Sequence, residues 1–233
     1  MLIALISDLH GNEAATRSVL RKIDEIKPDR VLVLGDLVGY GPRPVETIAM
    51  IMDRGYDCIL GNHDGAITGD TPLSLFREPN RNLLEKTKEL LPQDQKDWLG
   101  NMPVSIAEDN WLAVHASPIN PLRWEYLDSA IKCMQALETI EQEFCFVGHT
   151  HRPGVVSNQF GILNVQPGYR YVVNPGSVGQ PRDGDERASF CTIDTEKYSY
   201  KNYRISYTIT ETLDAFQSLK IDRKTGKRLM GFI

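Results

Sequence analysis

The first 150 residues repeat one pattern. A short apolar run breaks off in a polar loop, and a stretch of helical period follows. Leu2–Ser7 ends in Asp8-Leu9-His10-Gly11-Asn12, Val31–Leu34 in Gly35-Asp36, and Tyr56–Leu60 in Gly61-Asn62-His63-Asp64. Apolar runs this short read as strands buried on both faces. Between the first two, Ala14, Ala15, Val19, Leu20, Ile23 and Ile26 fall at helical spacing, behind a capping Asn12 and ahead of Pro28. Pro44 opens a second helix that runs to about Arg54. Strand, loop and helix in this order predict βαβ units and a largely parallel sheet.

Residues 65–103 read as helical and polar, with Leu73, Leu75, Phe76, Leu83, Leu84, Leu90, Leu91, Trp98 and Leu99 as the apolar face. Trp111–Val114 is a strand ending in His115. Asp128 is expected to cap a helix to about Ile140, and Phe144–Val147 is a strand ending in Gly148-His149-Thr150-His151. Beyond this the texture changes. Val155-Val156, Phe160–Val165, Tyr171–Val173, Ala188–Ile193 and Tyr198–Tyr207 are strand-like runs separated by Gly, Pro, Asn and Asp. They predict a second, mostly antiparallel sheet. Thr208–Lys220 predicts a last helix. No repeat or linker divides the chain, so residues 1–233 are expected to form a single domain.

Composition excludes several classes. The chain is 41% hydrophobic and 24% charged, which is ordinary globular usage and not that of a disordered or fibrous protein. No apolar run approaches the ~20 residues of a membrane span, and the N-terminal run is cut off at Asp8 before it reaches signal-peptide length. The four cysteines, Cys58, Cys133, Cys145 and Cys191, are far apart and form no CxxC pair. They read as small buried hydrophobes in a reducing compartment, the cytoplasm. The net charge of −5 argues against membrane-surface binding and against stable nucleic-acid binding. The basic residues of the tail, Lys220, Arg223, Lys224, Lys227 and Arg228, read as a solvated segment rather than a nucleic-acid contact.

Candidate chemistry gathers at the strand ends. Asp8, His10, Asp36, Asn62, His63, His115, His149 and His151 each follow a predicted strand, and they include all five histidines. In open α/β sheets, sites form in the crevice beyond the carboxyl ends of the strands. One such histidine is usually a satisfied structural residue. Five of five beside two carboxylates and a carboxamide call for another cause. Imidazole with carboxylate suits Mn, Fe, Co, Ni or Zn, whereas calcium prefers all-oxygen shells and structural zinc prefers thiolates. The donors exceed one tetrahedral site, which suggests two ions, a known device for cleaving phosphate esters.

The order Asp-x-His-Gly, Gly-Asp, Gly-Asn-His-Asp, a lone His and Gly-His-x-His resembles the calcineurin-like metallophosphoesterase superfamily. Gly39–Pro42, Pro118–Leu127 and Asn174–Arg182 resemble its small bacterial and archaeal phosphodiesterase branch. The resemblance implies an α/β, or α+β, fold. Two mixed β-sheets flanked by helices would form a four-layer αββα sandwich, with a dinuclear metal site at the strand ends. It implies that Asp8, His10, Asp36 and His151 hold one ion. Asp36, Asn62, His115 and His149 would hold the other, with Asp36 bridging. His63 would not ligate but would act on the leaving oxygen. Two divalent ions are thus expected as cofactors, with manganese the ion in use. Ala116 departs from the Gly that related members often carry, and its methyl could narrow the pocket near His115.

The expected activity is metal-dependent hydrolysis of phosphate esters by a hydroxide bridging the two ions, with phosphodiesters ahead of phosphomonoesters. A small phosphate ester, with nucleotides among the candidates, is the expected partner. A nucleotide or phosphoprotein phosphatase stays open, and so does a non-catalytic interaction scaffold on the same fold. The backbone of Asn174, Gly176 and Ser177 is a candidate for binding substrate phosphate, against a plain structural turn. Arg182 is a further candidate, against an ordinary surface turn. Asp64 either orients His63 or caps a helix.

Overall fold

A computed structural model describes residues 1–232. The first strand, β1 (Leu2–Ile6), alternates its faces, and both faces are covered. Ile3 and Leu5 point into one apolar cluster, while Ala4 and Ile6 point into another. A side-chain period of two with apolar cover on both sides explains the uninterrupted apolar run. Helix α1 (Glu13–Ile26) follows, and the Asn12 side chain accepts the Ala15 N–H at its start. Strand β2 (Arg30–Val33), helix α2 (Pro44–Met52) and the two-residue strand β3 (Asp57–Cys58) continue the pattern, with β1, β2 and β3 parallel.

The helical region starts earlier than expected and is broken. It comprises α3 (Asn62–Thr68), α4 (Asn80–Leu90) and α5 (Gln93–Gly100), with a short turn at Leu73–Leu75. Pro72, Pro79 and Pro92 stand directly before these later pieces. Each removes an N–H and pushes the residue before it out of helical conformation. Strand β4 (Ser105–Ala107) pairs antiparallel with β5 (Trp111–Val114). Helix α6 (Ala130–Glu138) is capped by Ser129 and not by Asp128, whose carboxylate instead pairs with Lys132 at 2.7 Å. Strand β6 (Phe144–Phe146) lies parallel to β5.

The strands β7 (Pro153–Ser157), β8 (Tyr171–Pro175), β9 (Ala188–Asp194) and β10 (Ser199–Ile205) do not form a sheet of their own. They divide between two five-stranded mixed sheets, ordered β10-β9-β1-β2-β3 and β4-β5-β6-β8-β7. The expected strand at Phe160–Val165 is irregular chain, with Phe160 and Leu163 exposed. The last helix is shorter than expected, α7 (Ile209–Ala215) running into a 3₁₀ turn. The basic tail, expected to be solvated, folds as α8 (Arg223–Met230), with Leu229 and Met230 buried.

The two sheets meet face to face over Ile3, Leu5, Leu32, Trp111, Phe144, Phe146 and Tyr171. Their outer faces carry helices. Ala15, Val19 and Ile48 cover the first sheet, and Cys133 and Leu137 cover the second. This is the four-layer αββα arrangement. All four cysteines are buried and unpaired. No helix among the described residues is long and apolar enough to cross a membrane.

Candidate metal centre and its cleft

The loops after β1, β2, β3, β5 and β6 open at one edge of the sandwich. Backbone bonds strap the first two together: Asp8 N–H donates to Gly35 O at 3.0 Å, and His10 N–H to Asp36 O at 3.0 Å. Asp8, His10, Asp36, His149 and His151 all have left-handed backbone, with φ between 49° and 63°. Non-glycine residues pay about 1–2 kcal/mol each for that conformation. Five together mark a place where local comfort is given up to aim side chains inward.

Asp8, His10, Asp36, Asn62, His63, His115, His149 and His151 are all buried and all converge there. Asp8, His10 and His151 form one group whose donor atoms lie within 4.8 Å of one another, and Asp36, His115 and His149 form another. Asp36 lies between. Its Oδ2 is 3.3 Å from His115 Nε2, 3.8 Å from His10 Nε2 and 3.9 Å from His63 Nε2. Asp8 Oδ1 is 3.3 Å from His151 Nε2. Each carboxylate spends its other oxygen on the backbone: Asp36 Oδ1 accepts His63 N–H at 2.8 Å, and Asp8 Oδ2 accepts His149 N–H at 3.1 Å.

The ring orientations show which nitrogens are left over. Nδ1 of His10, His115 and His151 each meets a backbone carbonyl, those of Val38, Leu34 and Gln180, at 2.6–2.8 Å. A carbonyl only accepts, so Nδ1 carries the proton and Nε2 presents a lone pair to the centre. His10 Nε2 and His151 Nε2 are 3.1 Å apart. In neutral rings two lone pairs at that distance have no hydrogen between them and need a cation. Asp8 Oδ1, Asn62 Oδ1 and His115 Nε2 are also buried without a hydrogen-bond partner. Orphaned acceptors of this kind, nitrogen and oxygen mixed, fit divalent metal.

The electrostatics agree. Burial works to raise the Asp8 carboxyl, but the imidazoles of His151 and His115 hold it well below its ordinary range. Burial works against a charged His115, yet Asp36 lifts it to about 9. The positive charge that Asp36 draws to Nε2 is one an ion would supply. Burial pushes His63 down to about 4 and His149 to about 3.

Asp64 does not face His63. Its carboxylate accepts backbone N–H groups from Asp36 at 2.7 Å, Leu37 at 2.9 Å and Gly61 at 3.1 Å. It caps α3 and braces the Asp36 loop. His63 is held by packing instead, edge-on to Phe76 at 4.9 Å and beside Tyr40 at 4.8 Å, and its Nδ1 has no partner. Gly39, at φ 88°, passes directly behind that ring, where a Cβ would collide with it.

The centre opens into a cleft of about 610 Å³. Asp36, Asn62, His63, His149 and His151 lie at its base, and Arg182 lines it as well. Asn174, Gly176 and Ser177 do not line it. Their polar groups hold loops together: Asn174 Nδ2 donates to Gly148 O at 2.7 Å, Gly176 N–H to Asn174 Oδ1 at 2.9 Å, and Ser177 Oγ–H to Asp8 O at 2.8 Å. Ala116 is buried and is not part of the cleft wall.

Sequence reasoning passed over the walls. Tyr40, Phe76, Trp124, Tyr126, Arg77, Arg123 and Arg228 line the cleft. Tyr126 stacks on His149 with ring centres 4.1 Å apart. Tyr40, Trp124 and Tyr126 stand inside the two motif blocks Gly39–Pro42 and Pro118–Leu127, which was the available signal.

A calcineurin-like phosphoesterase superfamily domain matches residues 1–198. The chain belongs to that superfamily. Membership makes it a hydrolase acting on phosphate esters, and such enzymes use divalent metal ions. An uncharacterized protein of Methanocaldococcus jannaschii is 32% identical over 98% of this chain and 97% of its own. The crystal structure of a metallophosphoesterase from Sphaerobacter thermophilus superposes with a TM-score of 0.84 at 31% identity, covering 98% of both chains. The symmetrical bis(5'-nucleosyl)-tetraphosphatase of Janthinobacterium sp. (strain Marseille) is 32% identical over 48% of this chain and 42% of its own. The match thus spans less than half the length of that enzyme.

Proposed function

We propose that this phosphoesterase cleaves phosphodiesters of nucleotide type at two divalent ions. The observation that carries the reading is the position of Asp36 Oδ2, which has the Nε2 atoms of His115, His10 and His63 within 3.9 Å. Asp8, His10, Asp36 and His151 would hold one ion, and Asp36, Asn62, His115 and His149 the other. Two such ions, when bound, supply Lewis acidity toward phosphoryl oxygens and lower the pKa of water. Manganese is the ion we expect in use, ahead of iron, cobalt, nickel and zinc, which suit the same donors.

His63 is the proposed catalytic residue. Its ring is buried and neutral at pH 7, so it enters the reaction as an N–H donor. From Nε2, 3.9 Å from Asp36 Oδ2, it would hydrogen-bond the leaving oxygen and stabilise the negative charge that builds there. Tyr40, Phe76 and the Gly39 backbone fix the plane of the ring, so little reorganisation is needed. Tyr126, exposed on the cleft wall beside His149, offers aromatic surface to a nucleobase. The named activity of the tetraphosphatase relative supports a nucleotide substrate. Buried unpaired cysteines fit a cytoplasmic setting.

The test is hydrolysis of a mono-aryl and a bis-aryl phosphate with Mn, Ni, Co, Zn and Mg in turn. Turnover of the diester, greatest with manganese, is expected. No turnover with any ion overturns the reading, and a marked preference for the monoester overturns the diester assignment.

A further inference from the structure

The C-terminal helix is built into the cleft. Leu229 and Met230 of α8 pack with Phe232 against Leu83, Leu213 and Phe216. Gln180 ties this helix to the metal centre. Its side-chain amide donates to Leu229 O, and its Oε1 accepts from Arg182 Nη2 at 2.7 Å. Its backbone carbonyl accepts from His151 Nδ1 at 2.6 Å. Arg228, next to Leu229, is exposed and lines the cleft.

Of the fifteen arginines, Arg21, Arg152 and Arg170 bond neutral oxygens outside the cleft, and the other twelve fall into two groups. Arg17, Arg30, Arg43, Arg54, Arg81, Arg187, Arg204 and Arg223 pair with carboxylates, and none of these lines the cleft. Arg77, Arg123, Arg182 and Arg228 line it, and among the described residues none of the four has a carboxylate partner. The one glutamate on the wall, Glu78, is neutralised by Arg81 at 2.8 Å. Uncompensated cations in a concave site focus a positive field. A single phosphate carries too little charge to match four cations, whereas a chain of phosphates carries enough.

We propose that Arg228 is a specificity-determining residue. It binds a phosphate adjoining the scissile one, and α8 thereby selects oligophosphate esters over single phosphates. This rests on the hydrolase reading above. The test is calorimetry on the full chain with excess manganese, using AMP and ATP as probes. Wild type is expected to bind ATP more tightly than AMP. Arg228→Ala and Arg228→Gln should each weaken ATP about 10-fold, the scale of one charge-assisted hydrogen bond, and AMP less than about 2-fold. Arg223→Ala, on the same helix but paired with Asp214, should change neither. Equal loss for both nucleotides, loss of neither, or no wild-type preference for ATP overturns the proposal. These are binding measurements, so they stand apart from the aryl phosphate turnover that decides the hydrolase reading.

Discussion

The carboxylate of Asp64 accepts the backbone N–H of Asp36 at 2.7 Å. Of the two roles open to it in the sequence, orienting His63 or capping a helix, the fold gives Asp64 the cap and, with it, the loop that carries the bridging candidate. Asp64→Ala would strand the buried donors of Gly61, Asp36, Leu37 and Val38. At about 1–3 kcal/mol per orphaned group, a loss of roughly 3 kcal/mol or more is expected in urea denaturation. An unchanged midpoint would remove Asp64 from this bracing role.

His63 and Asp36 separate chemistry from metal binding. His63→Ala should keep its metal content and lose about 10²–10⁴-fold in kcat. Asp36→Ala should lose both. Elemental analysis of each purified variant, beside its turnover, checks the pair. Normal turnover of His63→Ala would refute its role at the leaving oxygen.

Gly39 tests the placement of the His63 ring. A methyl at φ 88° is strained, and it points into the imidazole. Gly39→Ala should depress kcat strongly while metal content holds. A variant with full activity would show that the ring tolerates displacement.

Acid should destabilise the metal-free protein. Burial holds His63 near 4, His149 near 3 and His10 well below its ordinary range, whereas unfolded imidazoles titrate near 6.5. Lowered folded pKa values mean that stability is present above about pH 6.5 and is lost as pH falls toward 4. Asp64 acts oppositely. Burial and the charge of Asp36 push it up to about 7, so it stays protonated in the fold over the same range. His115, lifted to about 9, is protonated in the fold but only half so when unfolded at pH 6.5, so it offsets about half of one imidazole there and little by pH 5.5. Three imidazoles against one carboxyl leave net proton uptake on unfolding. Denaturation of chelator-treated protein should give a lower midpoint at pH 5.5 than at pH 6.5, and the reverse order would contradict these burial effects.

Removing the ions should lower thermal stability, because they bind a site that exists only in the fold. At 100 times its Kd, one ion adds about 2.7 kcal/mol. A melting temperature that rises with added manganese, and falls with chelator, is the expected result. No dependence would argue against a metal site built from these residues.

Much of the centre was legible in the chain because buried parallel strands end abruptly. Leu2–Ile6, Val31–Leu34 and Phe144–Val147 carry no polar side chain, so the first carboxylates and imidazoles after them stand out. The walls were not legible. Tyr40, Trp124 and Arg228 look like any surface aromatic or basic residue until the loops and α8 bring them together. The last strands also escaped a local reading. Ala188–Ile193 and Tyr171–Val173 have similar texture, yet one pairs with β1 and the other with β6.

By itself the sequence determined the periodicity of the elements, the donor set and its order, since these depend on residue type and spacing. Tertiary structure decided what each donor faces. It turned Asp64 onto the Asp36 backbone, set Nδ1 of three imidazoles on carbonyls so that Nε2 points inward, and folded a basic tail into a cleft wall. The reason is that hydrogen-bond partners and apolar cover at this centre come from residues distant in sequence. His10 and His151 meet across 141 positions, and Gln180 and Leu229 across 49.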